Sequence, residues 1–319
     1  MRTVDFDAIF SRAALAPARP PRASALGSLR ASLTLWHGQY FGLPLVELAA
    51  SASCCIGGVL IGNINRPITT GVKPIETAMA AYVPMAVVMI PAGLAFVSSF
   101  QVSLIYGSRE RHLVEHFAAI GSLHSGAYTL CVLLRSAFFG TLLTLEWVCI
   151  SHALMDLPTD NLGTVLGNTA LFTTSWIALT FVITLLSAIE SLSVHGLMGL
   201  CCFSLFFTGV FLPFDQSYTI FKVFSYANPL FHVVMSNVHA SLAPLDTGCP
   251  PASHPGQCAS FDRLLEMRQM PFVPAYQTQI ISVALFALVG LLMKVLLGLK
   301  RAPTPRKSQG GEAGRAATY

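Results

Sequence analysis

Charge is what this chain has least of. Asp, Glu, Lys and Arg together make up 11% of 319 residues, against 54% hydrophobic ones, where a soluble domain carries about 25% charged residues. Such a chain cannot cover itself with polar surface. Its solvent is mostly lipid, in keeping with a mean hydropathy of +0.63. Residues 1–35 lack an apolar run of signal-peptide length; they hold Arg2, Arg12, Arg19, Arg22 and Arg30 instead. No period of 20–50 residues recurs, so the chain is not a repeat array. No G-x-x-x-x-G-K-[ST] occurs, so no backbone cradle with its lysine holds ATP phosphates. No H-E-x-x-H or Ser-His-Asp constellation supports an intramembrane enzyme, and no N-x-[ST] acceptor is present.

What is present is long uncharged sequence. A bilayer core of about 30 Å takes roughly 20 apolar residues as a helix. Stretches free of Asp, Glu, Lys and Arg run over 48–65, 77–108, 161–189, 191–214 and 269–293. A sixth, 117–146, is broken by Arg135 and closed by Glu146. Six spans are expected, near 43–64, 79–106, 122–150, 164–188, 194–213 and 276–298, giving an all-α membrane protein. Pro84 and Pro91 bend the second.

Orientation follows from the flanking Lys and Arg. The basic excess lies in the N-terminal segment, in Lys300, Arg301, Arg306, Lys307 and Arg315, and in Arg109 with Arg111. These are expected to be cytoplasmic, which puts both termini inside and the loop 238–276 outside a plasma or organelle membrane. The segment 103–121 is the most charged place in mid-chain. Leu113, Phe117 and Ile120 form an apolar stripe at helical spacing opposite Arg111 and Glu115, which predicts a short amphipathic helix ending at Gly121.

Several residues stand out against the oily background. Arg135 and Glu146, eleven apart in one span, face one side of a helix at a distance too great to pair. Intramembrane charges usually face a bundle interior or cavity. Cys249 and Cys258 flank PPASHPGQ on the outer side, where disulfides persist, so a bridge within the loop or between protomers is expected. The adjacent pairs Cys54-Cys55 and Cys201-Cys202 read as small apolar fillers. His112, His116 and His124 could share a helix face but lack the further ligands of a metal site, and no metal is expected.

The order of these features resembles the membrane domain of type-2 ATP-binding-cassette exporters, most of all the G subfamily. SLRASLTLWHGQY, 28–40, stands where that subfamily has an amphipathic connecting helix. Glu110, Arg111 and Gly121 keep the spacing of its coupling helix, here about 108–121. FSLFFTGVFLPF, 203–214, is similar to the fifth span, and FSYANPLF, 224–231, to the segment that re-enters the outer leaflet between spans five and six. The match covers about 28–301, between a polar tail at 1–27 and a disordered one at 302–319. The pattern departs at position 117, Phe where the G subfamily has a second Glu; Glu115 sits instead at the spacing of the A subfamily, whose very large first outer domain has no counterpart in 66–76.

The resemblance implies function. Val210 and Phe211 would plug the substrate path, lined by Phe206, Phe207 and Phe100; Glu110, Arg111, Glu115 and Gly121 would press on a nucleotide-binding domain. That domain, with its ATP and Mg, is not in this chain and would lie on a partner or an upstream part. Two membrane halves, identical or related, would enclose a pathway for a lipid, sterol or other hydrophobic molecule; no nucleic-acid partner is implied. The competing expectation is a degenerate, non-transporting relative that pairs with a true transporter as its regulator.

Overall fold

The computed structural model describes residues 24, 27, 43–69, 90–99, 124–187, 190–209, 217–244 and 269–300. Among them the chain is all-helical, with eight helices and no strand. They are α1 (Leu43–Thr69), α2 (Ile90–Ser99), α3 (Ser125–Leu154), α4 (Leu162–Leu186), α5 (Glu190–Phe206), α6 (Thr219–Ala227), α7 (Pro229–Leu242) and α8 (Ala275–Lys300).

Among the described residues, three helices are long and apolar enough to cross a membrane: α3, α4 and α8. The described part of α1 has the length but is more polar, with Ser51, Ser53, Asn63, Asn65 and Arg66. The described parts of α2 and α5 are apolar and shorter. Each region expected to span therefore contains a helix.

The bundle is organised around α4, which packs against α3, α5, α7 and α8. Its sequence explains why. Helix α4 shows no preferred apolar side and is buried over most of its length, as a helix enclosed by others should be. The apolar part of its contacts is an aromatic stack: Phe96 of α2 lies 4.7 Å from Trp176 and 6.4 Å from Phe172, which stack on each other at 5.6 Å.

The polar part is a seam of hydroxyls and amides. Thr173 meets Thr144 of α3 at 3.3 Å, Thr174 meets Thr141 at 3.4 Å, and Ser175 donates to the Ser282 carbonyl of α8 at 2.9 Å. In hydrocarbon such contacts hold helices where no hydrophobic force acts between them, each contributing about 0.6–2 kcal/mol.

The outer faces are bulky and bare. Leu130, Leu134, Phe138 and Leu142 recur every fourth residue along α3, all exposed, and α8 exposes Ile280, Val283, Phe286, Leu288 and Leu291. Such rows suit acyl chains.

One boundary moves. Residues 238–242, expected as the start of an outer loop, are the last turn of α7, with Val238 and Leu242 fully buried. Their apolar character continues the helix that Pro229 starts, and the helix stops at Leu242, where the following Ala243-Pro244 cannot continue it.

Candidate functional site

Two places gather the side chains that the sequence singles out. The first is the seam between α1 and α3, built from small residues. Ser51, Cys55, Gly58 and Gly62 fall at intervals of four, three and four, on one face of α1. A β-carbon on Gly58 would stand 2.8 Å from Ile150 Cγ2, and one on Gly62 2.6 Å from Leu154 Cβ. The glycines therefore let the two backbones approach as only glycine allows.

One and two turns before Gly58, the same face meets Glu146. Ser51 Oγ lies 2.9 Å from both carboxylate oxygens, and Cys55 Sγ lies 2.6 Å from Oε1. A carboxylate accepts, so both side chains donate. Glu146 thus joins two helices, the inter-helix role that an acidic group inside a span suggests. Cys55 is a hydrogen-bond donor rather than the apolar filler expected; of the two adjacent pairs, Cys54 and Cys201 are buried as fillers are, and Cys202 is exposed. The G-x-x-x-G of residues 58–62, a known close-packing pattern, and a Ser one turn before a Cys were the signals that could have located this seam. Arg135, half-buried on α3, sits over the Phe139 ring at 5.8 Å, within reach of a cation–π contact.

The second place is the turn of the chain after α5. The α6–α7 pair forms because Asn228-Pro229 cannot continue a helix: Asn228 adopts an extended conformation, as a residue before proline prefers, and Pro229 opens α7 at its first position. The Asn228 oxygen accepts from the Leu230 N–H at 3.2 Å, while its Nδ2 donates to the carbonyls of Ser204 at 2.7 Å and Phe207 at 3.3 Å. One buried amide therefore caps the start of α7 and the end of α5 together. Gly209, at φ +80, turns the chain beyond α5 and presses against Phe231 and Met235, where a β-carbon would stand 3.4 and 3.5 Å from their side chains. A residue with a side chain there would be strained.

Held this way, the end of α5 and the face of α6 present a cluster of phenylalanines. Phe203 and Phe207 are 4.6 Å apart, Phe224 is 5.9 and 5.6 Å from them, and Phe221 is 5.8 Å from Phe207. Tyr218 extends it, 6.2 Å from Phe221. Core rings are normally covered, yet Phe203 is 40%, Phe224 39% and Phe206 61% exposed. Half-open rings at stacking distance offer dispersion and ring-edge contacts to a flat apolar molecule and no charge to hold an ion. Of the expected path residues, Phe207 is in this cluster and Phe206 stands beside it with its ring exposed. Phe203, Phe221 and Phe224 complete the cluster and are not among the expected path residues; aromatic spacing of four along 203–207 is the signal that points to them.

The exposed face of α5 that carries Phe203 continues toward the helix start with smaller residues than the bulky outer faces of α3 and α8, Gly196 and Gly199 preceding Phe203 at intervals of three and four. It exposes Gly196, Gly199, His195 and Cys202 among Leu192 and Met198, and nothing lies within 4 Å of a β-carbon placed on either glycine. Val210, Phe211, Phe100, Glu110, Arg111, Glu115, Gly121, Cys249 and Cys258 lie outside the described residues. Among the described residues no group of three or more His, Cys, Asp or Glu could hold a metal. The chain matches no protein-family model, and no curated protein is significantly similar to it.

Proposed function

We propose that this chain is the membrane half of an ATP-driven exporter of hydrophobic or amphipathic molecules, working with a nucleotide-binding domain carried elsewhere and with a second membrane half. The observation that supports it most is the half-open phenylalanine cluster at the end of α5, at the place where the resemblance to type-2 exporters expects the substrate path. A membrane protein that only anchors or scaffolds has no need to hold five aromatic rings at stacking distance and leave Phe203, Phe224 and Tyr218 among them exposed. A lipid, a sterol or a hydrophobic xenobiotic fits such a surface better than a sugar or an inorganic ion, because the cluster offers four phenylalanine rings and a single hydroxyl, that of Tyr218.

The pairing rests on α5. Helices that associate in lipid do so through small residues and scattered polar groups, because bulky apolar rows gain nothing over acyl chains. The outward face of α5, with its two open glycines, His195 and Cys202, has that composition; α3 exposes no glycine, and on α8 the open Gly290 stands among exposed Val283, Phe286, Leu288 and Leu291. ATP enters through the partner domain, for which 108–121 is the proposed contact. The polar seam around α4 would keep each half rigid while the surfaces at α5 move.

The test is photolabelling in bilayers. The protein in vesicles, exposed to a diazirine-bearing sterol and to a diazirine-bearing phospholipid, is digested and the adducts are mapped. Labelling that concentrates on 203–224, competes with the unlabelled compound and falls several-fold in Phe203→Ala/Phe207→Ala supports the reading. Labelling spread evenly over the bare faces of α3 and α8, unaffected by competitor, contradicts it.

A further inference from the structure

The last turn of α7 is tied to its neighbours by two histidines. His152, near the end of α3, reaches it through Ser241: its Nε2 lies 3.2 Å from the serine Oγ, while its Nδ1 lies 3.1 Å from the Val148 carbonyl. His239, on the turn itself, places Nε2 3.3 Å from the Met270 carbonyl, ahead of α8. Between these two residues in sequence, the Ala240 carbonyl accepts from the Asn161 amide at 3.2 Å.

The two rings answer a proton differently. A carbonyl only accepts, so Nδ1 of His152 carries its hydrogen and Nε2 accepts from the Ser241 hydroxyl. A second proton on that ring lands on Nε2, the atom the hydroxyl needs. Ser241 is fully buried and makes no other hydrogen bond among the described residues, so its hydrogen would lose its acceptor. His239 already donates from Nε2, and a second proton leaves that bond in place.

Nothing around His152 offsets the added charge. The residue is 5% exposed. The titratable groups of the surrounding elements are Glu146 and Asp156 before and after it, Asp160 beyond α3, Arg66 at the end of α1 and His239 on α7. Asp156, Asp160 and Arg66 are exposed, and Glu146 is held by Ser51 and Cys55. Residues 90–99 of α2, 162–173 of α4 and 269–274 contribute none. Protons can nevertheless arrive. Helix α3 has 30 residues, about 45 Å at the helical rise, against a hydrocarbon core of about 30 Å. Its last turn, followed by two exposed aspartates, therefore reaches the headgroup layer.

We propose that His152 and Ser241 form a proton-sensitive latch between the ends of α3 and α7, closed while the imidazole is neutral and released when it takes a second proton. The sign follows from the proton count. The closed latch holds one proton on the ring and the open latch two, so the contact is present at higher pH and lost as pH falls. Release frees the last turn of α7 from α3, while Asn161 and His239 keep their hold on it. The latch stands whatever the chain transports.

The experiment uses the full chain in lipid nanodiscs, with nitrogen-15 in its histidines, from about pH 8 to about pH 5, the range in which histidine ordinarily changes charge. Spectra should show His152 with its hydrogen on Nδ1 at the upper end and doubly protonated at the lower. Amide exchange over 239–242, corrected for the intrinsic effect of pH, should lose about ten-fold in protection, the change that one extra bound proton gives over one pH unit. His152→Gln keeps a donor and an acceptor but takes no charge, and should hold the protection constant. His239→Gln should retain the loss. Where His152→Gln does not fold, Ser241→Ala replaces it and should flatten the profile likewise. A His152 ring still singly protonated at about pH 5 overturns the proposal. So does protection indifferent to pH, a loss undiminished in the latch variant, or a loss abolished in His239→Gln.

Discussion

Replacing Gly62 by Ala is the sharpest perturbation of the α1–α3 seam. The new methyl would stand 2.6 Å from Leu154 Cβ and 3.2 Å from its Cδ1, and in Gly58→Ala it would meet Ile150 Cγ2 at 2.8 Å. These obstacles differ in kind. A Cβ is fixed to its backbone and cannot rotate away, so Gly62→Ala must push the helices apart. The Ile150 methyl is on a β-branched side chain with few rotamers, which is stiff but not immovable. Overpacking costs about 1–3 kcal/mol, and Ala recovers up to about 1 kcal/mol over Gly in helix propensity. The net expectation is about 2 kcal/mol lost for Gly62→Ala and about 1 for Gly58→Ala. Separation also lengthens the Ser51 and Cys55 contacts to Glu146, so the larger figure is the more secure for Gly62. The control is Gly290→Ala on α8, where nothing lies within 4 Å and Ala should be neutral or stabilising. Unfolding equilibria measured in bicelles by steric trapping would read Gly62→Ala as roughly a 30-fold fall in the folded-to-unfolded ratio. If Gly62→Ala were as stable as Gly290→Ala, the close approach of α1 and α3 would be wrong.

Three further outcomes follow from the described contacts. Ser51→Ala and Glu146→Gln, measured singly and together by the same method, should show a coupling of about 0.6–1.7 kcal/mol; strict additivity would mean the two groups do not meet. Asn228→Ala removes the cap of α7 and strands the carbonyls at the end of α5, for an expected loss of about 2 kcal/mol, and an unchanged midpoint would deny that amide its double role. His152 Nδ1 lies 3.1 Å from the Val148 carbonyl, which can only accept, so Nε2 is left to accept from Ser241 at 3.2 Å; nitrogen-15 spectra should therefore show the proton on Nδ1, and an Nε2–H tautomer would refute this pairing.

Part of this was legible in the sequence, for reasons that are physical rather than statistical. Long uncharged runs locate helices because lipid punishes charge everywhere along a span, so regions such as 161–189 carry the signal in every residue. The segment 224–231 is marked by its resemblance to a re-entrant segment, whereas the turn that Asn228-Pro229 forces there is a local signal that the resemblance does not use. Which helix would be central was not legible. Helix α4 is no more patterned than α8; it is the hydroxyls of Thr169, Thr173 and Ser175, meeting partners from 29 to 107 residues away, that make it the hub, and such pairings leave no local trace. Glu146 could be named as an intramembrane charge, yet its partners Ser51 and Cys55 lie more than 90 residues earlier and are ordinary residues for a span. The phenylalanine cluster was half-seen, through Phe206 and Phe207, because α6 brings its own rings from across the turn.

Coupled transport tests the central proposal most directly. Vesicles holding this chain with a co-expressed nucleotide-binding chain, loaded with a fluorescent phospholipid and separately with a sterol, would be followed on addition of ATP and Mg. The account predicts export of at least one of the two, dependent on hydrolysis, abolished when either chain is omitted, and reduced several-fold in Phe203→Ala/Phe207→Ala and in Glu110→Lys. Export of a sugar with neither lipid moving, or lipid movement indifferent to ATP and to both variants, would contradict it.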